Sequence, residues 1–442
     1  MKLAWELNRR LGRDRVVTDP SQRRRLSRDF HWYSPLLAAA LRPCVADVVV
    51  LPRSEEEVAA VLELAVQSET PVTVRGGGTG NYGQCVPLHG GIVLDMTEMG
   101  RVLEIGEGWI RTEAGARLGL VEQVARDAGQ ELRVMPSTFE RSTAAGFICG
   151  GAGGIGSVAH GWLWDGNVVS VRALTMEAPP RVVAAQGTDL MGYLHAYGTT
   201  GVLTEVTLAL TRKTEWTQLV LAFDRFPAAV RFGHALAGHG SCRARLVSVS
   251  EVEVTRFFAA GVQWFGGMRG HPALLWVAAE DAGAVLELAG EHGGRLVREL
   301  PYGKHPMLSD FSWNHVTLWA RKVDPAWTYV QTGFAIERLE EQLAVVRERY
   351  GRDVLFHFEY VRSGGTVHLA GLLLLRYRGA EHLHQAMEFL EDIGVAVSNP
   401  HTYLLEEGGR RHQRWDAVYR AKAAHDPADR LNPGKLRGPL EG

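Results

Sequence analysis

Cysteine is scarce in this chain. Cys44, Cys85, Cys149 and Cys242 are the only four in 442 residues, and no Cys-x-x-Cys pair exists. That argues against a zinc ribbon or a disulfide-stapled scaffold and fits a reducing compartment. Lysine is scarce too. Lys2, Lys213, Lys304, Lys322, Lys422 and Lys435 stand among 48 basic residues, so the basic side chains are almost all arginine. We read this as the base composition of the source genome, not as a partner signal. The formal net charge of −2 leaves no basic excess for a nucleic-acid or anionic-membrane partner. Long hydrophobic runs are missing: the longest, Leu369 to Leu375, is far too short for a bilayer. The N-terminal MKLAWELNRRLGRDR is charged throughout and lacks the apolar core of a secretory signal. The expectation is a soluble cytoplasmic protein with no membrane span and no nucleic-acid partner. At this length, with 46% apolar residues, two or three domains with full cores are expected.

Glycine, by contrast, is abundant and clustered. The stretch Arg75-Gly-Gly-Gly-Thr-Gly-Asn-Tyr-Gly-Gln84 follows the apolar alternation Pro71-Val-Thr-Val74, which predicts a strand. Glycines at 76, 77, 78, 80 and 83 strip the turn of side chains. Such backbone reaches positive φ and comes close to a ligand, and its successive N–H groups make a concave anion site. Arg75 is expected at its entrance, and the economical reading is a pyrophosphate cradle. Gly78-x-Gly80-x-x-Gly83 matches the dinucleotide fingerprint, but that motif needs a helix to open at its last glycine. Here the chain runs on through Pro87 and Gly90-Gly91 into Ile92 to Met96, a second predicted strand. A Walker loop would need Gly-Lys-Ser/Thr, which is absent. The bland alternative is a glycine-rich hairpin.

Along the rest of the chain, residues 1–35 read as helical and basic, with Arg23 to Arg25 as a solvated face. Val48 to Pro52 is a predicted strand. Ser54 caps a helix with Glu57 at the capping-box position and Val58, Val61, Leu62 and Ala65 as its inward stripe. Leu118 to Ala128 is a second helix. A second glycine block follows: Pro136-Ser-Thr138, Thr143-Ala-Ala-Gly146 and Gly150-Gly-Ala-Gly-Gly-Ile-Gly156. Val168 to Met176 and Val206 to Leu210 are strands, the second entered through a turn at Gly198 to Glu205. Around Thr214 glycine thins out and strands alternate with amphipathic helices. Residues 328–397 read strand, helix, strand, strand, helix, strand, which suggests a split β-α-β antiparallel sheet. A similar alternation spans 218–300 without a visible sequence repeat. Arg411 to Ala424 is a predicted final helix, and the tail closes with Leu431-Asn-Pro-Gly-Lys435. Two glycine blocks in one domain suit a long ligand with two phosphates. FAD fits, whereas NAD would prefer a helix N-terminus.

The glycine loop resembles the pyrophosphate loop of the vanillyl-alcohol oxidase type of FAD-binding proteins, the family with the PCMH-type flavin domain. That family orders a pyrophosphate loop, a Pro-Gly/Ser-Ser/Thr segment, a Thr-x-x-Gly…Gly-Gly segment, a Gly-Thr/Val-Leu-Gly-x-x-Thr-like turn and a late Leu-Asn-Pro-Gly-Lys. All five have counterparts here, in order, between Arg75 and Lys435. The resemblance implies an α+β fold: a PCMH-type two-subdomain FAD-binding domain over 1–213, an α+β cap with an antiparallel sheet and ferredoxin-like elements over 214–399, and a return to the flavin domain over 400–442. By residue, it implies that Arg75, Gly76, Gly77, Gly78, Thr79, Gly80, Asn81 and Gln84 hold the pyrophosphate. Pro136, Ser137, Thr138, Thr143, Gly146, Gly150, Gly151, Gly153 and Gly154 would line the flavin side, and Gly201 and Val202 the adenine end. Asn432 and Lys435 would return to the same domain. Some members bind flavin covalently through a His in the first loop; Gly78 stands at that position, so non-covalent FAD is expected.

The cofactor implies hydride transfer from a carbon bearing a hydroxyl, with a base for the hydroxyl proton. Candidate catalytic residues are His401 or His357 as the base, with Asn314, Arg321 and Glu359 orienting substrate and His368 on the next strand. Trp313-Asn-His315 is an aromatic and polar cluster. His357 and Glu359 share a strand face. Glycolate- and D-lactate-oxidising relatives carry His-x-Gly-Asp-Gly-Asn-x-His and a later Glu-His-Gly, partly for a divalent metal. Here the first region is His357-Phe-Glu-Tyr-Val-Arg-Ser-Gly-Gly-Thr-Val-His368 and the second Pro400-His401, so no metal site is expected. The acceptor is open: oxygen, a quinone or a carrier protein. Two further readings stand beside the enzyme: an FAD-binding electron-transfer subunit without its own substrate, and a structural protein with a relict fold.

Overall fold

The computed structural model describes residues 2–303, 306–408 and 414–438. The chain folds into two compact units. One holds Met1–Ala152, Leu163–Lys213 and His401–Gly442; the other holds Gly153–Trp162 and Thr214–Pro400.

The first unit carries two sheets. In the first, β1 (Val16–Val17), β2 (Val48–Val50), β3 (Val72–Arg75) and β4 (Ile92–Asp95) lie in the order β1-β2-β4-β3. Strands β2, β4 and β3 are parallel. β2 and β4 are buried along their whole length, as parallel strands under helices must be. Because β3 and β4 run parallel, the loop between them is a crossover, and the hairpin alternative is excluded. The strand β1 corrects the all-helical expectation for residues 1–35. The helix Glu55–Gln67 starts where expected: Ser54 Oγ accepts from the Glu57 N–H at 3.3 Å, and Val58, Val61, Leu62 and Ala65 are fully buried. The capping box is only half made, since Glu57 takes the Arg53 N–H at 2.7 Å. The second sheet holds β5 (Val102–Gly106), β6 (Trp109–Glu113), β7 (Gln130–Leu132), β8 (Val168–Leu174), β9 (Val182–Gln186) and β10 (Val202–Arg212), all antiparallel. β10 starts four residues before its expected Val206 because Val202 and Leu203 already pair with Leu174 and Ala173.

The second unit is one nine-stranded antiparallel sheet. Its first half runs β11 (Trp216–Phe223), helix Phe226–Gly238, β12 (Ala244–Ser250), β13 (His271–Ala278), helix Ala282–Glu291, β14 (Gly294–Pro301). Its second half runs β15 (Trp327–Phe334), helix Leu339–Tyr350, β16 (Val354–Leu355), β17 (His357–Ser363), β18 (Thr366–Arg376), helix Ala380–Asp392, β19 (Ala396–Ser398). The strand orders β14-β11-β13-β12 and β19-β15-β18-β17 are the same split β-α-β topology twice. The halves join where β12 meets β17, pairing Ser248 with Glu359 and Ser250 with His357. No sequence repeat shows this, because what repeats is strand order and burial, not residue identity. On the sheet face opposite His357 and Glu359, Phe226 stacks on Phe356 and Phe358. The last helix is Trp415–His425; its expected start at Arg411 lies outside the described residues. Among the described residues no helix is long and apolar enough to cross a membrane.

Candidate functional site

The crossover after β3 is built from missing side chains. An ideal Cβ on Gly76 would lie 2.1 Å from Thr143 Oγ1, one on Gly77 2.1 Å from the Arg141 carbonyl, and one on Gly80 2.1 Å from Gln84 Oε1. Gly78 adopts φ +62°, and its Cβ would meet the Arg75 guanidinium at 2.1 Å. The loop is therefore pressed flat against the second glycine block. Thr79 Oγ1 reaches Ser142 Oγ at 2.8 Å, which reaches Thr138 Oγ1 at 2.7 Å. Gln84 donates to the Gly150 carbonyl at 3.0 Å and accepts from the Tyr82 N–H at 3.1 Å. Among the described residues, none accepts a hydrogen bond from the half-buried main-chain N–H groups of Gly76, Gly77, Gly78, Thr79 and Gly80. Half-buried donors without acceptors need an external partner, and five in succession suit a diphosphate. The residues present fit FAD at this place.

Several side chains expected to touch the ligand instead shape the loop. Arg75 is not a free cation at the entrance. Its side chain folds back onto Asp95 (3.1 Å), the Arg28 carbonyl (2.8 Å) and Cys85 Sγ (3.3 Å), into space that a Cβ on Gly78 would take. Asn432, at φ +44°, donates to the carbonyls of Gln84 (2.7 Å) and Tyr197 (2.8 Å). Lys435 is fully buried and donates to the Gly83 carbonyl at 2.5 Å. The tail thus clamps the loop from behind. Thr143 caps the helix Ala144–Gly150, accepting from the Gly146 N–H at 3.2 Å. The Ala144 and Ala145 N–H groups go to the carbonyls of Ala116 and Ala114, so this helix end offers no spare donors there. Gly151 lacks a Cβ for the Phe147 ring and Gly153 for Trp162. Gly153 and Gly154 belong to the second unit. The carbonyl of Pro136, a half-buried residue, accepts from the Phe139 N–H, and Ser137 follows it, also half-buried. Gly201 and Val202 open β10, both buried. Burial pushes Cys149 up to about 12 and Cys85 up to about 11, so both stay thiols at neutral pH and neither is a nucleophile.

Burial also pulls the Lys435 ammonium down to about 8 from 10.5, opposed by Asp29, Cys85 and Cys44. Below pH 8 folded and unfolded chains both hold the proton, and the fold bears the cost of a buried charge. Between about 8 and 10.5 only the unfolded chain holds it, so this group makes stability rise with pH across that window. The rise is up to about 3 kcal/mol. Denaturant titrations at pH 7 and pH 10 should show this gain in the parent protein and lose it in Lys435→Met.

In the second unit the seam between β12 and β17 is polar. His357 is fully buried, with Nδ1 2.8 Å from Ser250 Oγ and Nε2 3.0 Å from Glu359 Oε1. Both ring nitrogens are thus engaged inside the seam, by Ser250 and Glu359. Glu359 Oε1 also accepts from the Trp313 N–H at 2.6 Å, holding Trp313 at φ +49°. Arg321 is not aimed at a substrate: its Nη1 donates to the carbonyls of Pro325 (3.0 Å) and Trp327 (2.6 Å), tying its helix to β15. His368 sits exposed opposite Val361, four residues along from His357, about 13 Å at strand rise. It is therefore not brought to His357. Among the described residues, Ser248 Oγ, Ser309 Oγ, Trp313 Nε1, Asn314 Oδ1 and Thr317 Oγ1 are buried without a hydrogen-bond partner. Such orphans are costly and mark places that need an explanation. His315, in the expected cluster but not singled out, has Nδ1 3.2 Å from the Ser309 carbonyl, and burial lowers its pKa. In the first unit His401 is buried, with Nδ1 2.8 Å from Ser34 Oγ, the cap of the helix Pro35–Ala40. Among the described residues no group of three His, Cys, Asp or Glu is placed to hold a metal.

Residues 46–178 match the FAD binding domain family model. D-2-hydroxyglutarate dehydrogenase of Escherichia coli is 40% identical over 136 residues, 29% of this chain and 13% of that protein. D-lactate dehydrogenase of Anaerostipes hadrus is 31% identical over 176 residues, 37% of this chain and 36% of that protein. Glycolate oxidase subunit GlcD of Escherichia coli is 28% identical over 186 residues, 40% of this chain and 37% of that protein. The chain thus aligns with well under half the length of these curated relatives. Among solved structures, alkyldihydroxyacetonephosphate synthase superposes with a TM-score of 0.76 over 98% of this chain and 86% of its own, at 17% identity, which speaks for the fold alone. Together with the row of amides, these findings converge: the chain carries an FAD-binding domain over residues 46–178 and has the fold of alkyldihydroxyacetonephosphate synthase.

Proposed function

We propose that the chain is an FAD-dependent oxidoreductase acting on the CH–OH group of an alcohol or 2-hydroxy acid, with FAD held non-covalently. The observation that carries this is the row of unpartnered amides from Gly76 to Gly80, locked by contacts only glycine permits. The names of the relatives, a D-2-hydroxyglutarate dehydrogenase, a D-lactate dehydrogenase and a glycolate oxidase subunit, support the substrate class. When bound, FAD supplies a hydride acceptor. The main-chain amides of the loop bind its diphosphate, and the Arg75 fold-back under Gly78 supports a non-covalent attachment. His401, oriented by Ser34, takes the hydroxyl proton as general base. In the second unit, Asn314 Oδ1, Trp313 Nε1 and the hydroxyls of Ser309 and Thr317 offer hydrogen bonds to a ligand, and Glu359 holds Trp313 and His357 in place beside them. Arg321 acts through the fold of the second unit, by tying its helix to β15.

The test is anaerobic mixing of the FAD-loaded protein with a panel of 2-hydroxy acids and alcohols, followed by flavin absorbance. Direct bleaching without a partner protein is the expected result; no bleaching by any substrate unless a second protein is added would favour the electron-transfer reading. His401→Ala should keep its yellow colour and slow bleaching by about 10²-fold or more. Unchanged reduction of that variant would remove His401 from the role. Acid denaturation should release free FAD into the supernatant.

A further inference from the structure

A recess of about 500 Å³ opens in the first unit, lined by Arg28, His31, Trp32, Ala38, Ala39 and Arg42. None of these residues belongs to the glycine loop. Arg28 and Arg42 are exposed, and among the described residues no carboxylate or other side chain pairs with either guanidinium. Alone they would be two solvated surface charges. His31 makes the difference. It is only 5% exposed. Its Nδ1 lies 3.0 Å from Asp29 Oδ1, which also accepts the His31 N–H at 2.9 Å. A carboxylate only accepts, so Nδ1 carries a ring proton, and in the neutral ring Nε2 is the acceptor. His31 lines the recess, and its side-chain hydrogen bond to Asp29 uses Nδ1 and leaves Nε2 to a ligand. Asp29 is buried, so the orientation of His31 is built into the fold.

We propose that this recess binds an aromatic hydroxycarboxylate. The two guanidinium groups match a carboxylate, which arginine grips with paired N–H donors. The Trp32 indole and the Ala38–Ala39 surface offer an apolar wall for a ring. The Nε2 lone pair of His31 accepts the proton of a hydroxyl. The measurement is of binding, not turnover, so it stands or falls independently of the reaction proposed above.

The experiment is calorimetric titration of the FAD-loaded protein with mandelate, 4-hydroxybenzoate, benzoate, acetate and inorganic phosphate. At least one of the two hydroxylated aromatic acids should bind with a Kd of about 1 mM or tighter. Benzoate should be weaker by about threefold to tenfold, and acetate and phosphate by tenfold or more, about 1.4 kcal/mol per factor of ten. Arg42→Ala and Arg28→Ala, both at exposed positions, should each cost about tenfold. Trp32→Leu should weaken the aromatic acids and leave acetate unchanged, and His31→Asn should abolish the preference for hydroxylated over plain benzoate. Absence of binding by either hydroxylated acid at about 10 mM, or affinities unmoved by both arginine variants, would overturn the site. So would phosphate binding as tightly as the aromatic acids. Binding that appears only in FAD-free protein would assign the recess to the flavin and overturn it equally.

Discussion

Gly77→Ala should give a colourless protein. The new methyl carbon would sit 2.1 Å from the Arg141 carbonyl oxygen, 3.0 Å from its carbon and 3.3 Å from Ser142 Cα. All three are main chain, so no rotamer change relieves the clash. The loop must lift off the second block, carrying the Gly76–Gly80 amides out of line. Hydrogen bonds to a charged acceptor are worth about 1.5–3 kcal/mol each. Losing two weakens FAD binding by about 10²–10⁴-fold. The readouts are the 450 nm absorbance of purified protein and FAD titration followed by fluorescence, with far-UV circular dichroism to confirm that the fold survives. Gly283→Ala, in a helix of the second unit with nothing within 4 Å, serves as the neutral control. A Gly77→Ala protein that stays yellow and binds FAD like the parent would mean the diphosphate lies elsewhere.

Glu359→Ala should be the most destabilising change in the second unit. The carboxylate is 1% exposed and serves two donors, the Trp313 N–H and the His357 ring. Its loss leaves both without that acceptor in a buried seam and releases Trp313 from its left-handed backbone. Removing one partner of a buried charged network costs about 3–5 kcal/mol. For a unit of this size that is a fall in Tm of roughly 10 °C. Glu359→Gln keeps an acceptor oxygen and should lose about half as much. Differential scanning calorimetry on the FAD-loaded protein separates the two. A Glu359→Ala protein melting within a degree of the parent would show that the seam is not held by this carboxylate.

Much of the architecture was legible in the chain. The alternation at Val72 to Val74, the short apolar run at Ile92, the Ser54 cap and the strand-helix order after Thr328 are local signals, and local physics produced the elements they predict. The cradle was legible for the same reason: a run of glycines states its need for bare backbone without reference to anything distant. The first-block glycines at 76, 77, 78 and 80 do sit where a Cβ would collide.

The fates of polar side chains were another matter. Arg75, Asn432, Lys435, Thr143, Arg321 and His357 all carry groups that chemistry could use, and their neighbours in sequence do not say what they touch. The structure spends each of them on a main-chain or side-chain partner, often far away in the chain: Lys435 on Gly83, Asn432 on Gln84, His357 on Ser250. The duplicated strand order of the second unit was equally silent, since pairing between β12 and β17 joins residues over a hundred positions apart. The Asp29-x-His31 pair had a sequence signal, a carboxylate two residues before a histidine, but only a turn that brings both onto one oxygen made it a dyad.

The sequence by itself determined that the turn between two strands would be bare backbone, because glycine's missing Cβ is a property of the residue. The tertiary structure alone decided which ionisable groups remain available, because a buried charge or ring nitrogen takes whatever partner the packing brings within 3 Å, and that choice is made by distant parts of the chain.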